Sequence, residues 1–306
     1  MAAGKLKIGT RGSKLALAQA HETRDKLMAA HGMSSDDVEI VVISTTGDQI
    51  QDRALSEIGG KGLFTKEIEE ALYSNLIDLA VHSMKDMPAV LPPGLVMAGL
   101  LEREDPRDAF ISSVANSIEE LPAGAKLGTS SVRRSAQVRT LRPDLEVVEF
   151  RGNVQTRMKK LADGVADATF LACAGLNRLG DAALITKAMA IEDMLPAVAQ
   201  GAIGIEIREG DEAIAKLLGP LRHGETEIVV AAERGFLIEL DGSCRTPLAA
   251  HATLAGGTVH LAVMALTRDG SERFETTRVG PADKAEELGL DAGREIAAMA
   301  GDKLFA

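Results

Sequence analysis

The sequence contains little cysteine and few aromatic residues. Of 306 residues, two are cysteine, one is tyrosine and none is tryptophan. Two cysteines cannot form the disulfide framework of a small secreted protein, so we expect a reducing compartment. The shortage of stacking side chains and a formal net charge of −11 argue against binding to nucleic acid or to an anionic membrane.

Long apolar segments are also missing. The N-terminal stretch MAAGKLKIGTRGS lacks the apolar core of a signal peptide. The apolar run AVLPPGLVMAGLL is broken by Pro92, Pro93 and Gly94, and it is too short to span a bilayer. We therefore predict a cytoplasmic protein whose length allows two or three domains with buried cores.

Strand-like and helix-like segments alternate over the first two hundred residues. Apolar segments such as LKIG, VEIVVIS and DLAVHSM predict strands, and the stretch from Ser13 to Ala30 predicts a helix capped by Ser13. In LFTKEIEEALYSNLI, apolar residues share one helical face: Phe64, Ile68, Ala71, Leu72 and Leu76. This alternation is typical of α/β units around a mainly parallel sheet.

The pattern changes after Gly201. The segment AIGIEI predicts a further strand that pairs back into an earlier sheet, and ETEIVVAAERGFLIEL predicts a helix. Three strand-like segments separated by Gly-Gly and Asp-Gly turns, then a closing helix, predict a small α+β domain. We thus predict one α/β domain from 1–101 and 202–219, a similar one from 102–201, and a C-terminal α+β domain from 220–306. We expect a cleft between the first two.

Two Gly-Thr turns occupy similar places in the sequence. KIGTRGSKLALAQ begins at Lys7 and KLGTSSVRRSAQV at Lys126, a similarity that two related domains or chance would explain. A strand that ends in small polar residues and opens a helix presents free N–H groups to an anion. Ordinary helix caps are the alternative, but Arg11, Arg133 and Arg134 lie in or after these turns, which favours an anion.

The segment from residue 131 to 160 is strongly basic. It holds six arginines, two lysines and three acids in a chain that is acidic overall. Arg151 is expected to precede a helix that carries Arg157, and Arg178 follows the apolar run TFLACA, where a strand would end. The segment is either a solvated basic face or part of a site for a small polyanion.

The stretch VHSMKDMP carries the most chemistry, since a buried strand leads directly to Ser83, Lys85 and Asp86. Ser83 and Lys85 would share one side of an extended chain. Lysine could hold an anion while the carboxylate stabilises a cation or moves a proton. A surface loop with an incidental ion pair is the alternative.

The two cysteines differ in their surroundings. Cys173 lies in an apolar segment and is predicted to be a buried strand residue. Cys244 follows Gly242 and Ser243 in a turn, and Arg245 would favour its thiolate. An inert loop cysteine remains the alternative. The six histidines show no metal spacing, and IGGKGLF lacks the ending of a phosphate-binding P-loop.

Many motifs in one order resemble the porphobilinogen deaminase family along nearly the whole chain. They are GTRGSKLALAQ, GGKGLFTKEIE, DLAVHSMKDMP, EREDPRDAF, GTSSVRR, RGNVQTR, AGLNRLG, LPAVAQGAIGIE and the turn at Cys244. The family often has Gly-Gly before this cysteine, whereas Ser243 precedes it here. The resemblance implies two α/β domains of periplasmic-binding-protein-like plan and a small domain that carries the cysteine.

The resemblance also implies a reaction. The family attaches a dipyrromethane cofactor through a thioether to its cysteine, here Cys244, and condenses four porphobilinogen molecules head to tail onto that primer. Each addition releases ammonia and leaves a cationic azafulvene, which Asp86 would stabilise. Hydrolysis then frees the linear tetrapyrrole hydroxymethylbilane, a precursor in haem biosynthesis.

The resemblance assigns the remaining site residues to the carboxylates of cofactor and substrate, except that Lys61 would sit on a mobile loop over the cleft. They are Arg11, Ser13, Ser83, Lys85, Thr129, Ser130, Ser131, Arg133, Arg134, Arg151, Arg157 and Arg178. We expect a monomer that binds porphobilinogen, without a metal, nucleic acid or membrane partner.

Two other functions remain open on the residues alone. A non-catalytic two-domain protein that binds small polycarboxylate anions would use the same fold plan, but it would not need Asp86 or Cys244. A cysteine hydrolase would need a histidine near Cys244 in space, which the sequence cannot show.

Overall fold

The computed structural model describes residues 5–49, 65–242 and 246–305. Lys61 and Cys244, and with them Phe64 and Ser243, lie outside the described residues. The chain divides into two compact units. Unit 1 contains the described residues 5–49, 65–104 and 202–227, and unit 2 contains 105–201 and the described residues from 228 onward.

The strands of the described residues form three sheets. Their bounds are β1 Leu6–Arg11, β2 Val38–Ile43, β3 Leu79–Ser83, β4 Leu95–Leu100, β5 Asp108–Ser112, β6 Lys126–Gly128, β7 Glu146–Val148, β8 Ala168–Ala172, β9 Lys187–Ala188, β10 Ile203–Arg208, β11 Leu248–Ala255, β12 Thr258–Leu266 and β13 Arg273–Pro281.

The helices cover the sheets and connect their strands. Their bounds are α1 Lys14–His31, α2 Thr46–Gln49, α3 Lys66–Tyr73, α4 Val132–Leu141, α5 Val154–Ala162, α6 Cys173–Leu179, α7 Glu212–Leu218, α8 Gly224–Glu239 and α9 Ala285–Ala300. Among the described residues, no helix is long and apolar enough to cross a membrane.

Unit 1 is built on a five-stranded sheet in the order β2-β1-β3-β10-β4. Strands β2, β1 and β3 are parallel, whereas β10 runs antiparallel to both β3 and β4. Helix α1 covers one face, where Ala20 and Leu27 pack with Val81 of β3. Helix α3 packs Ile68 and Leu72 into a second apolar cluster. The prediction that AIGIEI pairs back into an earlier sheet is confirmed.

Unit 2 contains a second five-stranded sheet in the order β7-β6-β8-β5-β9. Here β7, β6 and β8 are parallel, and β5 runs antiparallel to β8. The two sheets therefore share one plan, three parallel strands followed by an antiparallel fourth. The two Gly-Thr pairs lie at similar places, near the ends of β1 and β6, and each is followed by the next helix, α1 or α4. The prediction of two similar α/β domains is confirmed, while its exact boundaries stay a prediction.

The C-terminal part of unit 2 is an antiparallel sheet, β11-β12-β13, packed against α9. Its α+β character is the one predicted. Helices α8 and α9 approach closely at two glycines. A Cβ on Gly235 would lie 2.4 Å from the carbonyl oxygen of Glu286, and one on Gly289 would lie 2.0 Å from that of Ala232. Any larger side chain at either position would force the helices apart.

Helix α1 begins where the sequence predicts. The side-chain oxygen of Ser13 accepts a hydrogen bond from the backbone N–H of Ala16 at 3.2 Å, which satisfies one of the free donors of the first turn. The helix ends at Gly32, whose φ of 64° lies in the left-handed region that glycine adopts without strain. The predicted cap and the predicted span are confirmed within one residue.

Three local predictions were wrong. Helix α3 ends at Tyr73, and the chain turns at Asn75 with a φ of 56°, so Leu76 lies outside the helix and is 52% exposed. Residues Met84–Asp86 form a 3₁₀ turn, so Ser83 and Lys85 are not on one side of an extended chain. Cys173 is fully buried as predicted, but it begins α6 instead of lying in a strand.

Candidate active site

Unit 1 has a cavity at the carboxyl ends of β1 and β3, which we call the unit 1 cavity. The first turn of α1 also faces it. It is lined by Arg11, Ser13, Leu15, Ala16, Gln19, Thr65, Val81, His82, Ser83, Asp86 and Met87. Four predicted site residues therefore come together here, namely Arg11, Ser13, Ser83 and Asp86. Ligands gather at such strand ends in α/β sheets, and a helix N-terminus favours anions.

Opposite charges face each other in this cavity. The Arg11 guanidinium lies 3.9 Å from the Asp86 carboxylate, and the two side chains are 21% and 39% exposed. This separation is long for an ion pair, and the Asp86 carboxylate remains open to a ligand. Lys85 is exposed on the same 3₁₀ turn but does not line the cavity. The cavity thus contains one guanidinium group that could bind an anion and one carboxylate that could stabilise a cation.

Helix α1 holds the end of β3 in position through one side-chain pair. The amide nitrogen of Gln19 lies 2.9 Å from the Ser83 hydroxyl, and that hydroxyl lies 3.0 Å from the amide oxygen. Gln19 is buried, so this contact orients Ser83 just before the turn that carries Asp86. Three further lining residues were not predicted from the sequence, namely Gln19, Thr65 and His82. His82 had one usable signal, since it directly precedes the predicted Ser83.

Unit 2 places its predicted residues around the start of α4. The Ser131 hydroxyl caps the helix by accepting the Arg134 N–H at 3.4 Å. The Thr129 hydroxyl accepts the Ser131 N–H at 3.2 Å, and the Ser130 hydroxyl accepts the N–H of Phe150 at 3.1 Å. These hydroxyls therefore shape a polar loop at a helix N-terminus, where an anion is stabilised.

Arg133 and Arg134 are both buried and share one carboxylate. Asp108, the first residue of β5, lies 2.8 Å from Nη1 of Arg133 and 2.6 Å from Nη2 of Arg134. The Gln200 amide also donates to Asp108 at 3.0 Å. Arg133 further donates to the Leu195 carbonyl at 2.8 Å. Asp108 thus holds the two guanidinium groups in place, and it was not predicted from the sequence.

Burial and charge oppose each other at Asp108. Burial by itself would raise the pKa of this fully buried carboxyl, but the adjacent Arg133 and Arg134 guanidinium groups hold it well below its usual range. Asp108 is therefore ionised at neutral pH. Two guanidinium groups against one carboxylate leave an excess of one positive charge. A charged residue at the start of an otherwise apolar strand is the signal that could have indicated Asp108.

Further arginines add to this excess of positive charge. Burial lowers the pKa of Arg157 to about 10, and the nearby charges of Arg134 and Arg151 lower it as well. Within the described part of the chain, Nη1 of Arg151 is buried without a hydrogen-bond partner. Arg178 lies in the last turn of α6 and is half-buried. Mutual repulsion and an unmet donor both fit a site that completes its charge balance with an anion.

Cys173 is unsuited to covalent chemistry. Burial raises the pKa of this fully enclosed thiol to about 12, so it carries no thiolate at neutral pH. Among the described residues, no cluster of three His, Cys, Asp or Glu side chains could hold a metal ion.

The sequence matches known proteins over almost its entire length. Residues 6–216 match the model described as porphobilinogen deaminase, dipyromethane cofactor binding domain, and residues 228–298 match porphobilinogen deaminase, C-terminal domain. Porphobilinogen deaminase of Paracoccus denitrificans is 56% identical over 300 residues, which cover 98% of this chain and 96% of the relative. The chloroplastic porphobilinogen deaminase of Oryza sativa is 53% identical over 305 residues, covering 98% and 85%.

Similarity to solved structures is much weaker. A periplasmic substrate-binding protein of an ABC transporter from Coxiella burnetii is 13% identical, with a TM-score of 0.44 over 71% of this chain and 91% of that one. An overlap at this level carries no functional argument. The two matched family models and the high sequence identity over the full length identify the family. The chain belongs to the porphobilinogen deaminase family.

Proposed function

We propose that this chain carries out the family reaction with Asp86 as its catalytic carboxylate and Cys244 as the anchor of its primer. Family membership makes the chain a transferase of tetrapyrrole and haem biosynthesis, a hydroxymethylbilane synthase that joins four porphobilinogen molecules and releases ammonia. The observation that supports the residue assignment is the unit 1 cavity, where Asp86 and Arg11 face each other at the end of a buried strand.

The described arginines fit a dipyrromethane cofactor. Each of its rings carries an acetate and a propionate, and unit 2 offers the half-buried Arg157 and Arg151 with an unmet donor. Arg178 and the hydroxyls at the start of α4 would add further donors. When bound, the cofactor supplies the free pyrrole position at which chain growth begins. Guanidinium groups suit this ligand because they pair with carboxylates through two parallel hydrogen bonds.

Asp86 would act on charge that develops in the substrate. Loss of ammonia from porphobilinogen leaves a cation delocalised over the pyrrole ring. A carboxylate already fixed in a cavity stabilises such a cation without reorganisation during the reaction. Arg11 and the N-terminus of α1 would bind the carboxylates of the same substrate molecule. Asp86 and Arg11 would therefore have separate tasks, the first on the reacting ring and the second on its side chains.

The remaining assignments follow the same logic. We propose that Ser13, Ser83 and Lys85 assist substrate binding in unit 1, and that Thr129, Ser130 and Ser131 bind carboxylates in unit 2. Lys61 stays a proposed contact outside the described residues. Arg133 and Arg134 would contribute mainly through the excess positive charge of their buried group with Asp108. We also propose a monomer in the cytoplasm, in keeping with the low cysteine content.

Intact mass tests the covalent cofactor directly. The purified chain should be heavier than its sequence by two linked pyrroles, and it should react with an aldehyde reagent for pyrroles. Replacing Cys244 by Ala should abolish both signals together with ammonia release. Cys173→Ala is the matched control, since the second cysteine is buried and should leave the added mass unchanged. An unmodified mass in fully active protein would refute the anchor.

The unmet donor of Arg151 leads to a second prediction. Replacing Arg151 by Leu should lower kcat/KM for porphobilinogen by roughly ten- to a hundredfold, because a charge-assisted hydrogen bond is worth about 1.5–3 kcal/mol. Arg151→Lys should also lose activity, since an ammonium cannot pair bidentately with a carboxylate. Arg273→Leu, which removes an exposed arginine paired with Glu275, is the control. Unchanged kinetics in the folded Arg151 variants would refute the role of this side chain in binding carboxylates.

Ammonia release separates this function from that of an anion-binding protein. Such a protein would bind porphobilinogen through the same arginines but would release no ammonia and carry no covalent pyrroles. Family membership does not favour this alternative.

A further inference from the structure

The wall of the unit 1 cavity contains one member of a buried pair of titratable residues that the reaction scheme does not use. Nε2 of His82, on β3, lies 3.0 Å from a carboxylate oxygen of Glu206, on β10. Their side chains are 5% and 0% exposed. Within the described residues, the second carboxylate oxygen of Glu206 is buried without a hydrogen-bond partner. The negative charge of Glu206 therefore depends on a positive charge at His82, because an unpaired charge is costly to bury.

The strand geometry brings this pair together. In the antiparallel pairing of β3 with β10, Gly204 lies opposite His82 and Glu206 opposite Ala80, so the two side chains are diagonal neighbours. The pairing of β10 with β4 shifts its register between Ile205 and Glu206. Irregularities of this kind re-aim side chains and are frequent beside active sites.

A second acid lies close to this pair. Burial raises the pKa of Glu69 on α3, and the negative charge of Glu206 raises it further, while His82 opposes the change. The charged groups around His82 are thus Glu206 from β10 and Glu69 from α3. Arg11 from β1 and Asp86 from the 3₁₀ turn line the same cavity as His82. The charge behind the cavity depends on whether His82 holds a proton.

We propose that His82 is a positioning residue whose protonation, against Glu206, sets the electrostatic potential at which Arg11 binds the substrate carboxylates. With the imidazolium present, the pair is neutral overall and the positive charge of Arg11 dominates the cavity. Loss of that proton leaves an uncompensated buried anion that repels the substrate. The proton exchanges with solvent as pH changes and is not consumed during turnover. The inference rests on the proposed role of the cavity in binding porphobilinogen.

The experiment is a profile of KM and kcat against pH for the full chain, with ammonia release as the assay. If the proposal is correct, the KM of the wild type should rise with pH through one inflection as His82 loses its proton. One added negative charge near the substrate should raise KM on the order of tenfold. A wild-type KM without such an inflection overturns the proposal. A wild type that releases no ammonia refutes the proposed function instead.

Neutral variants isolate the contribution of the pair. The double variant His82→Gln and Glu206→Gln keeps two hydrogen-bonding side chains and removes both charges. Its KM should stay low, and it should lack the inflection seen in the wild type. Glu206→Gln alone removes the buried anion, so its KM at high pH should be lower than that of the wild type. His82→Gln alone removes the imidazolium but keeps the Glu206 carboxyl, so at high pH its KM should exceed that of the double variant. Ionisation of the substrate itself affects all these proteins equally and cancels in the comparison.

A merely structural pair would behave differently. The variants would then melt at lower temperature, yet each folded variant would keep the inflection of the wild type. Retention of that inflection in the double variant overturns the proposal.

Discussion

Replacing Asp86 by Asn is expected to lower turnover by roughly a hundred- to a thousandfold without lowering the melting temperature. Asparagine keeps the shape of the side chain and removes its charge. If the carboxylate stabilises a cation formed from porphobilinogen, its charge is the property that matters. Stability should be little affected, because the Asp86 side chain is 39% exposed and its ion pair with Arg11 is long, at 3.9 Å.

Asp86→Glu separates charge from position. It keeps the negative charge but displaces it by one methylene group, so its turnover should fall far less than that of the Asn variant. Single-turnover ammonia release measures the chemical step, and a thermal melt reports folding. Asp25→Asn, at an exposed acid on α1, is the control. Near-normal turnover of Asp86→Asn would contradict the catalytic role, and a collapsed melt would indicate a structural one.

Replacing Asp108 by Ala is expected to cost about 3–5 kcal/mol in the free energy of unfolding. The change leaves the guanidinium groups of Arg133 and Arg134 buried and without their shared carboxylate. Chemical denaturation measures the loss. Glu275→Ala is the matched control, because its partner Arg273 is exposed and such surface pairs contribute about 1 kcal/mol or less. A small loss at Asp108 would show that the buried arginines find other partners.

The same carboxylate predicts a dependence of stability on pH. Because the pKa of Asp108 is lower in the folded chain than in the unfolded one, the unfolded chain binds the proton more readily. The contribution of Asp108 is therefore fully present above the ordinary aspartate pKa of about 4 and is lost as pH falls below that value. Asp108→Asn should show a smaller decline in stability over that acid range than the wild type. Equal declines would contradict this assignment.

The periodicity of the sequence was sufficient to predict most of the fold. Alternating strands and helices, the cap at Ser13 and the return of β10 into the first sheet were all predicted correctly. Predictions failed where chain geometry depends on a single local turn, as at Asn75 and in the 3₁₀ turn before Met87. The pattern of apolar and polar side chains does not indicate such turns, because the same pattern is compatible with a strand that continues and with a strand that ends in a turn.

The candidate site was predicted less completely than the fold. Arg11, Ser13, Ser83 and Asp86 follow strand ends, and parallel strands bring their carboxyl ends to one edge of a sheet. Gln19 escaped prediction because its contact with Ser83 joins residues 64 positions apart. The sequence likewise indicated two adjacent arginines after the second Gly-Thr turn. The charge of Asp108 at the start of an apolar strand was a usable signal, but its contact with both arginines joins residues more than twenty positions apart.

The position of β10 has a consequence for how the chain acquires its structure during synthesis. Strand β4 pairs only with β10 in the described sheet, and β3 needs β10 on its open edge. The ribosome completes β4 at Leu100 but reaches the end of β10 only at Arg208. At about 5–20 residues per second, β3 and β4 therefore each lack their partner strand β10 for roughly 5–20 seconds. Unpaired edges of this kind are templates for aggregation, so the growing chain should depend on chaperones most strongly in that interval.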